Sequence, residues 1–193
     1  MRKGFSSKFN LPVSTLGPGE YYAANQAEII GTLVGSCIAV CLFDEKTRIG
    51  GMNHFMLPGV VSPEDILLNE IGRYGLFAME LLIGEIIKKG GDRKTLKAKC
   101  FGGGQVLNFR HSDGNIPDSN IRFVRKFFEL ENIPLIKEDV GGSWARKIYL
   151  FIPEGRILLK RLPSLPQEVI QGEGKYKSRL FQRRVEPPSL TLF

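Results

Sequence analysis

An α+β fold, with helices packed on one side of a sheet system, is what the sequence predicts, and three observations predict it. Residues 68–89 and 120–131 repeat apolar side chains at helical spacing over several turns. At least seven short runs are apolar, β-branched or alternating, and they stop at Gly, Pro or Asp, as strands do. Most of those runs succeed one another across breaks too short to hold a crossover helix, so they pair largely as antiparallel hairpins.

The whole chain sets the bounds. Its 193 residues suit one domain, and 42% hydrophobic with 10% aromatic content is enough for a sizeable core. No window is apolar and long enough to span a bilayer, so no membrane insertion is expected. Residues 1–16 hold Arg2, Lys3 and Lys8 but no apolar run of signal-peptide type. Three cysteines, an odd number without an export signal, point to reduced thiols and a cytoplasmic location. The net charge of +7 lies largely toward the C-terminus, at Lys160, Arg161, Lys175, Lys177, Arg179, Arg183 and Arg184. No block of like charge and no nucleic-acid motif accompanies it, so nucleic acid is not expected as a partner.

In chain order, residues 1–17 are polar and Ser-rich and read as a flexible arm. A core domain is expected over 18–162. It opens with a short strand at Tyr21-Tyr22, and Ile29-Ile30 leads toward Thr32. Residues 38–43 form an apolar strand, Asp44-Glu45-Lys46-Thr47 a polar break, and the chain resumes through Gly50-Gly51 into a strand bearing His54, one of two histidines. Residues 60–65 read as a surface loop, over the site or a plain connector. The helix over 68–89 ends at Lys88-Lys89, which suit its dipole, before Gly90-Gly91. Residues 96–101 alternate as a half-buried strand and run into Gly102-Gly103-Gly104-Gln105. Asp118 or Ser119 caps the second helix. Strands follow at 134–140, 147–152 and 156–162, the last two as a closing hairpin. Residues 163–193 contain Pro163, Pro166, Pro187 and Pro188 with a polar, glycine-containing middle, and read as a basic, extended or disordered tail.

The chemistry gathers in residues 31–58. A hairpin turn centred between Glu45 and Lys46 sets Cys37 opposite His54 on one face, with Cβ atoms roughly 4.5–5.5 Å apart. A turn one residue longer or shorter sends them to opposite faces unless a bulge, at Gly50 or Gly51, restores the alignment. A thiol beside an imidazole is a nucleophile beside a base, and the turn at Gly35 and Ser36 can offer backbone N–H groups to a developing oxyanion. The plainer reading makes Cys37 a small buried hydrophobe. Cys37 and Cys41 are spaced C-x3-C without a second ligand pair, so no metal centre and no cofactor are expected. Cys41 packs beneath the site and Cys100 in the core. The triple glycine lacks a phosphate-loop ending, and close backbone approach beside the site is its expected role. Gln105 and Asn108 are substrate contacts or ordinary loop residues. Arg146 anchors the Gly141-Gly142 turn or meets an acidic group of a substrate. His111 competes with His54 as the base.

The segments TLVGSCIAVCLFD and GGMNHFMLP, with FGGG and EDVGGSWARKI later, resemble the CheD family of chemoreceptor glutamine deamidases over residues 18–162. The resemblance implies a layered α/β/β sandwich like that of some deamidating toxins, with Cys37 as nucleophile, His54 as base and Thr32 orienting the histidine. It implies hydrolysis of glutamine side chains to glutamate on the helical cytoplasmic bundle of methyl-accepting chemotaxis receptors, and in some lineages a CheC-type phosphatase as partner. Gly103, Gly104, Gln105 and Arg146 are the expected substrate contacts. Ile116-Pro117-Asp118-Ser119 departs from the glycine and arginine that relatives often carry there. Two other classes use the same residues differently: a cysteine hydrolase or transglutaminase-like enzyme on another acyl group, and a non-catalytic chemotaxis adaptor that has no need of Cys37.

Overall fold

Two five-stranded sheets and two helices stack as three layers in the computed structural model, which describes residues 1–60, 70–106, 115–163 and 166–183. The first sheet has the order β1 (Arg2–Ser6), β2 (Leu11–Leu16), β4 (Glu28–Val34), β9 (Ala145–Ile152), β10 (Arg156–Leu162). The second runs β3 (Tyr21–Ala24), β6 (Ile49–Phe55), β5 (Ile38–Asp44), β7 (Leu96–Gly102), β8 (Leu135–Val140). Helices α1 (Glu70–Lys88) and α2 (Ile116–Leu130) cover the outer face of the second sheet. The expected α+β class and layered sandwich are both present.

Strand β5 shows why the layers form. All seven of its residues are buried, because it has a helix layer on one side and a sheet on the other. Ile38, Val40 and Leu42 join α1 and α2 in one apolar cluster. Cys37, Ala39, Cys41 and Phe43 point the other way, against Ile30, Val34, Ile148, Leu150 and Ile152 of β4 and β9. Burial of this kind contributes about 25 cal/mol per Å² of apolar surface, so the central strands carry most of the fold's cohesion.

The β5–β6 hairpin differs in register from expectation. Its turn spans Glu45 to Arg48, with Asp44 paired to Ile49. Asp44 Oδ1 accepts from the N–H groups of Lys46 (2.9 Å) and Thr47 (3.4 Å), and Arg48 takes a left-handed φ of 64°. His54 therefore pairs with Ala39, not Cys37. The displacement is two residues, which preserves the face, so Cys37 and His54 remain on the inter-sheet side as diagonal neighbours. No bulge interrupts the pair. Gly51 serves close packing instead: a Cβ there would lie 2.7 Å from the Tyr22 carbonyl and 2.8 Å from Leu82.

Two terminal expectations are corrected. Residues 1–17 are not an arm: β1 and β2 form a hairpin whose second strand adds in parallel to β4, and the Phe9 ring packs edge-on against Phe151 at 5.1 Å. Residues 167–183 are not an extended tail: they form helix α3 (Gln167–Arg183), which buries Glu173, Tyr176 and Leu180. In both cases a polar-looking segment is ordered by what it docks on, a signal absent from local pattern. Helix α2 starts earlier than expected, with Asn115 accepting from the Asp118 N–H as its cap and Pro117 in the first turn. Asn108 and His111, the loop at 61–65 and the last ten residues lie outside the described residues. Among the described residues no helix is long and apolar enough to cross a membrane.

Candidate active site

Three neighbouring elements bring the expected residues together. Thr32 comes from the end of β4, Cys37 from the turn entering β5, and His54 from the end of β6. All three are at most 3% exposed. The Thr32 hydroxyl donates to the Leu16 carbonyl at 2.9 Å and lies 2.8 Å from His54 Nδ1. A hydroxyl has one proton, and it is spent on Leu16, so Thr32 accepts at its other contact. Nδ1 therefore carries the imidazole proton and Nε2 carries the lone pair. Nε2 is buried and has no hydrogen-bond partner among the described residues. An unpaired buried nitrogen costs about 1–3 kcal/mol, and in an active site it marks where a proton is to be received.

The turn that presents Cys37 is held by backbone contacts at which glycine is required. Gly103 N–H donates to the Cys37 carbonyl at 2.8 Å and Gly104 N–H to the Gly35 carbonyl at 2.7 Å. Gly102 has φ of 113°, and a Cβ there would fall 2.2 Å from the Cys37 carbonyl oxygen. The glycine run after β7 thus shapes the Cys37 turn from behind. From α2, buried Asn120 clamps the other side: its Nδ2 donates to the Ser36 carbonyl (3.0 Å) and its Oδ1 accepts from the Leu57 N–H (2.8 Å).

The four expected substrate contacts fare differently. Gly103 and Gly104 are buried and spend their N–H groups on the turn. Gln105 is exposed, with its N–H on the Gly142 carbonyl. Arg146 is 3% exposed and fully engaged: it donates to Asp139 (2.9 Å), to the Trp144 carbonyl (2.8 Å) and to the Gly141 carbonyl (2.7 Å). Of its two expected roles, the structure supports the anchor of the Gly141-Gly142 turn.

One group at the site was not anticipated. Glu173 of α3 is fully buried with its carboxylate over the turn. Its Oε1 accepts from the Gly35 N–H at 2.8 Å, and its Oε2 from the Ser36 N–H at 3.2 Å and the Ser36 hydroxyl at 2.7 Å. One ligand-type atom from each of Cys37, His54 and Glu173 lies within 4.8 Å of the others. This is the one cluster among the described residues with three side chains able to hold a metal ion. The carboxylate accepts three hydrogen bonds from the Gly35–Ser36 turn. A signal for Asn120 and Glu173 is missing from local sequence, because each acts on a turn more than eighty residues away.

Electrostatics follow from burial. Desolvation, joined by the charge of Glu173 and its hydrogen bond from the thiol, pushes Cys37 well above the usual thiol range. Burial pulls His54 from 6.5 down to about 3, against a raising contribution from the Leu16 carbonyl. The resting pair is a neutral thiol and a neutral imidazole. Beside them a cleft of about 160 Å³ is lined by His54, Gly19, Tyr21, Tyr74, Phe77 and Tyr176.

Comparison with known proteins gives a consistent result. Residues 56–161 match the family model described as CheD, chemotactic sensory transduction. The chain is 42% identical over 183 residues to a protein of Methylobacillus flagellatus, covering 94% of this chain and 90% of the relative. It is 45% identical over 170 residues to one of Hahella chejuensis, covering 87% and 79%. With one of Laribacter hongkongensis it shares 40% over 177 residues, covering 91% and 85%. Each is named probable chemoreceptor glutamine deamidase CheD.

Proposed function

The chain belongs to the CheD family, and from that premise we infer that it is a chemoreceptor glutamine deamidase in which Cys37 is the nucleophile, His54 the base and Thr32 the residue that orients it. The observation that carries this reading is the bare Nε2 of His54, buried on the same face as Cys37, with the ring's other nitrogen committed to Thr32. The reaction is hydrolysis of a carboxamide: glutamine and water become glutamate and ammonia. Nε2 takes the thiol proton as Sγ attacks the amide carbon. The Gly35 N–H is aimed at one carboxylate oxygen of Glu173 and the Ser36 N–H and hydroxyl at the other, and these donors beside Cys37 suit the oxygen on which negative charge develops. The imidazolium returns its proton to the amide nitrogen, ammonia leaves, and a thioester remains. His54 then draws a proton from water, whose oxygen cleaves the thioester and restores the thiol.

The substrate in this reading is a glutamine on the helical cytoplasmic bundle of methyl-accepting receptors, and the reaction takes place in the cytoplasm. A CheC-type phosphatase is the partner to test by co-purification. The deciding experiment incubates purified chain with receptor cytoplasmic fragments and looks for a gain of about one mass unit at specific glutamines, the change from amide to acid. Cys37→Ala should abolish the gain. Persistence of the gain in that variant overturns the mechanism.

A further inference from the structure

The product of glutamine hydrolysis is a glutamate side chain, and a glutamate side chain already occupies the site. Glu173 reaches it from a helix, and its oxygens accept from Gly35 N, Ser36 N and Ser36 Oγ, the donors assigned above to the substrate's oxygen. With α3 docked, Cys37 and Glu173 are fully buried and His54 is 1% exposed. No protein-borne amide reaches the sulfur in this arrangement. We propose that α3 is a built-in product mimic: Glu173 fills the subsite of the substrate side chain, and turnover requires α3 to leave. This rests on the deamidase reading and adds its regulation.

The hold of α3 is suited to reversal. Glu173, Tyr176 and Leu180 are the buried residues of its docked face, at spacings that stack on one side of a helix. Tyr176 hydrogen-bonds Tyr74 through the two hydroxyls, and Leu180 enters the inter-sheet cluster. Residues such as Glu168, Gln171, Lys175 and Arg179 are exposed. No sheet ladder ties this helix to the rest of the fold. Gly172 and Gly174 flank Glu173 inside the helix with open space where a Cβ would stand, so packing does not require glycine there. They weaken the helix at the residue that plugs the site. Tyr176 is one wall of the cleft beside His54, so its departure uncovers the imidazole from that side. The charge of Glu173 also suppresses the thiolate, so the docked state is chemically as well as sterically closed.

Glu173→Gln in the full chain tests this directly, because it places a carboxamide where the carboxylate sits. The expected result is self-deamidation: residue 173 gains about one mass unit with first-order kinetics independent of protein concentration, and Cys37→Ala in the same chain prevents it. In parallel, Glu173→Ala should raise the rate of Cys37 alkylation by iodoacetamide about tenfold or more, with buried Cys41 and Cys100 as internal references. A stable amide at 173 in a chain whose parent deamidates receptor fragments overturns the proposal and leaves the deamidase reading standing. Unchanged Cys37 alkylation in Glu173→Ala also overturns it. A parent and a Glu173→Ala chain that both leave receptor glutamines intact, with no change at 173 in Glu173→Gln, overturn the reading beneath it.

Discussion

At the scale of single residues, the site depends on one proton being in the right place. Thr32 has a single donor and gives it to Leu16, which obliges it to accept from His54 and leaves Nε2 bare. Thr32→Val should let the ring change tautomer or turn, and receptor deamidation should fall about 100-fold. Thr32→Ser should recover most of the loss, and nitrogen-15 chemical shifts of the imidazole should report the tautomer in each. A valine variant with full activity would remove the positioning role. His54 also couples stability to pH. Its folded value of about 3 lies below the ordinary 6.5, so below pH 6.5 the unfolded chain binds a proton that the folded chain refuses. Stability therefore falls with acid, by about 1.4 kcal/mol per unit from this group until about pH 3, and the contribution is flat above 6.5. Urea titrations across that range should show the slope, and His54→Gln should lessen it by one proton's share. Cys37 is shifted up, so above the usual thiol range the unfolded chain releases a proton that the folded chain keeps, and stability falls again toward alkaline pH.

At the scale of elements, glycine decides what two segments can do. After β7, Gly102 lets the backbone lie against Cys37 at a φ closed to other residues. Gly102→Ala should displace the Cys37 turn and cost about 1–3 kcal/mol in chemical denaturation, with deamidation lost before the fold is. In α3 the glycines have the opposite character, since nothing crowds Gly172 or Gly174. Replacing both with alanine should strengthen the helix by about 1 kcal/mol at each position. If docked α3 is the closed state, the double variant should be a slower enzyme, by up to about thirtyfold, though a more stable protein. Equal or higher turnover on receptor fragments would count against closure by this helix.

At the scale of the whole molecule, cohesion is graded from the centre outward. Strand β5 is buried on both faces and paired on both edges, whereas α3 is held by one face and by no ladder. Hydrogen exchange should show amides of β5, β6 and β7 opening only with global unfolding, and those of α3 opening far more readily. Protection of α3 equal to that of β5 would contradict a helix poised to leave. The strands and helices between Tyr21 and Leu162 were legible because apolar period and turn residues act over a few neighbours, and so was the shared face of Cys37 and His54, since a two-residue change of register preserves it. The glycines behind the turn were legible as close-approach positions, and Thr32 through family resemblance. What local pattern could not reveal were the stacking of two sheets through one cysteine-bearing face, which only the family resemblance implied, the hairpin hidden in a polar N-terminus, Asn120 reaching the turn from α2, and Glu173 arriving from a segment that read as tail. Local preference is a sum over neighbours in the chain. A carboxylate meeting a backbone amide 138 positions away belongs to no such sum, and only the folded packing of α3 on the sheets decides it.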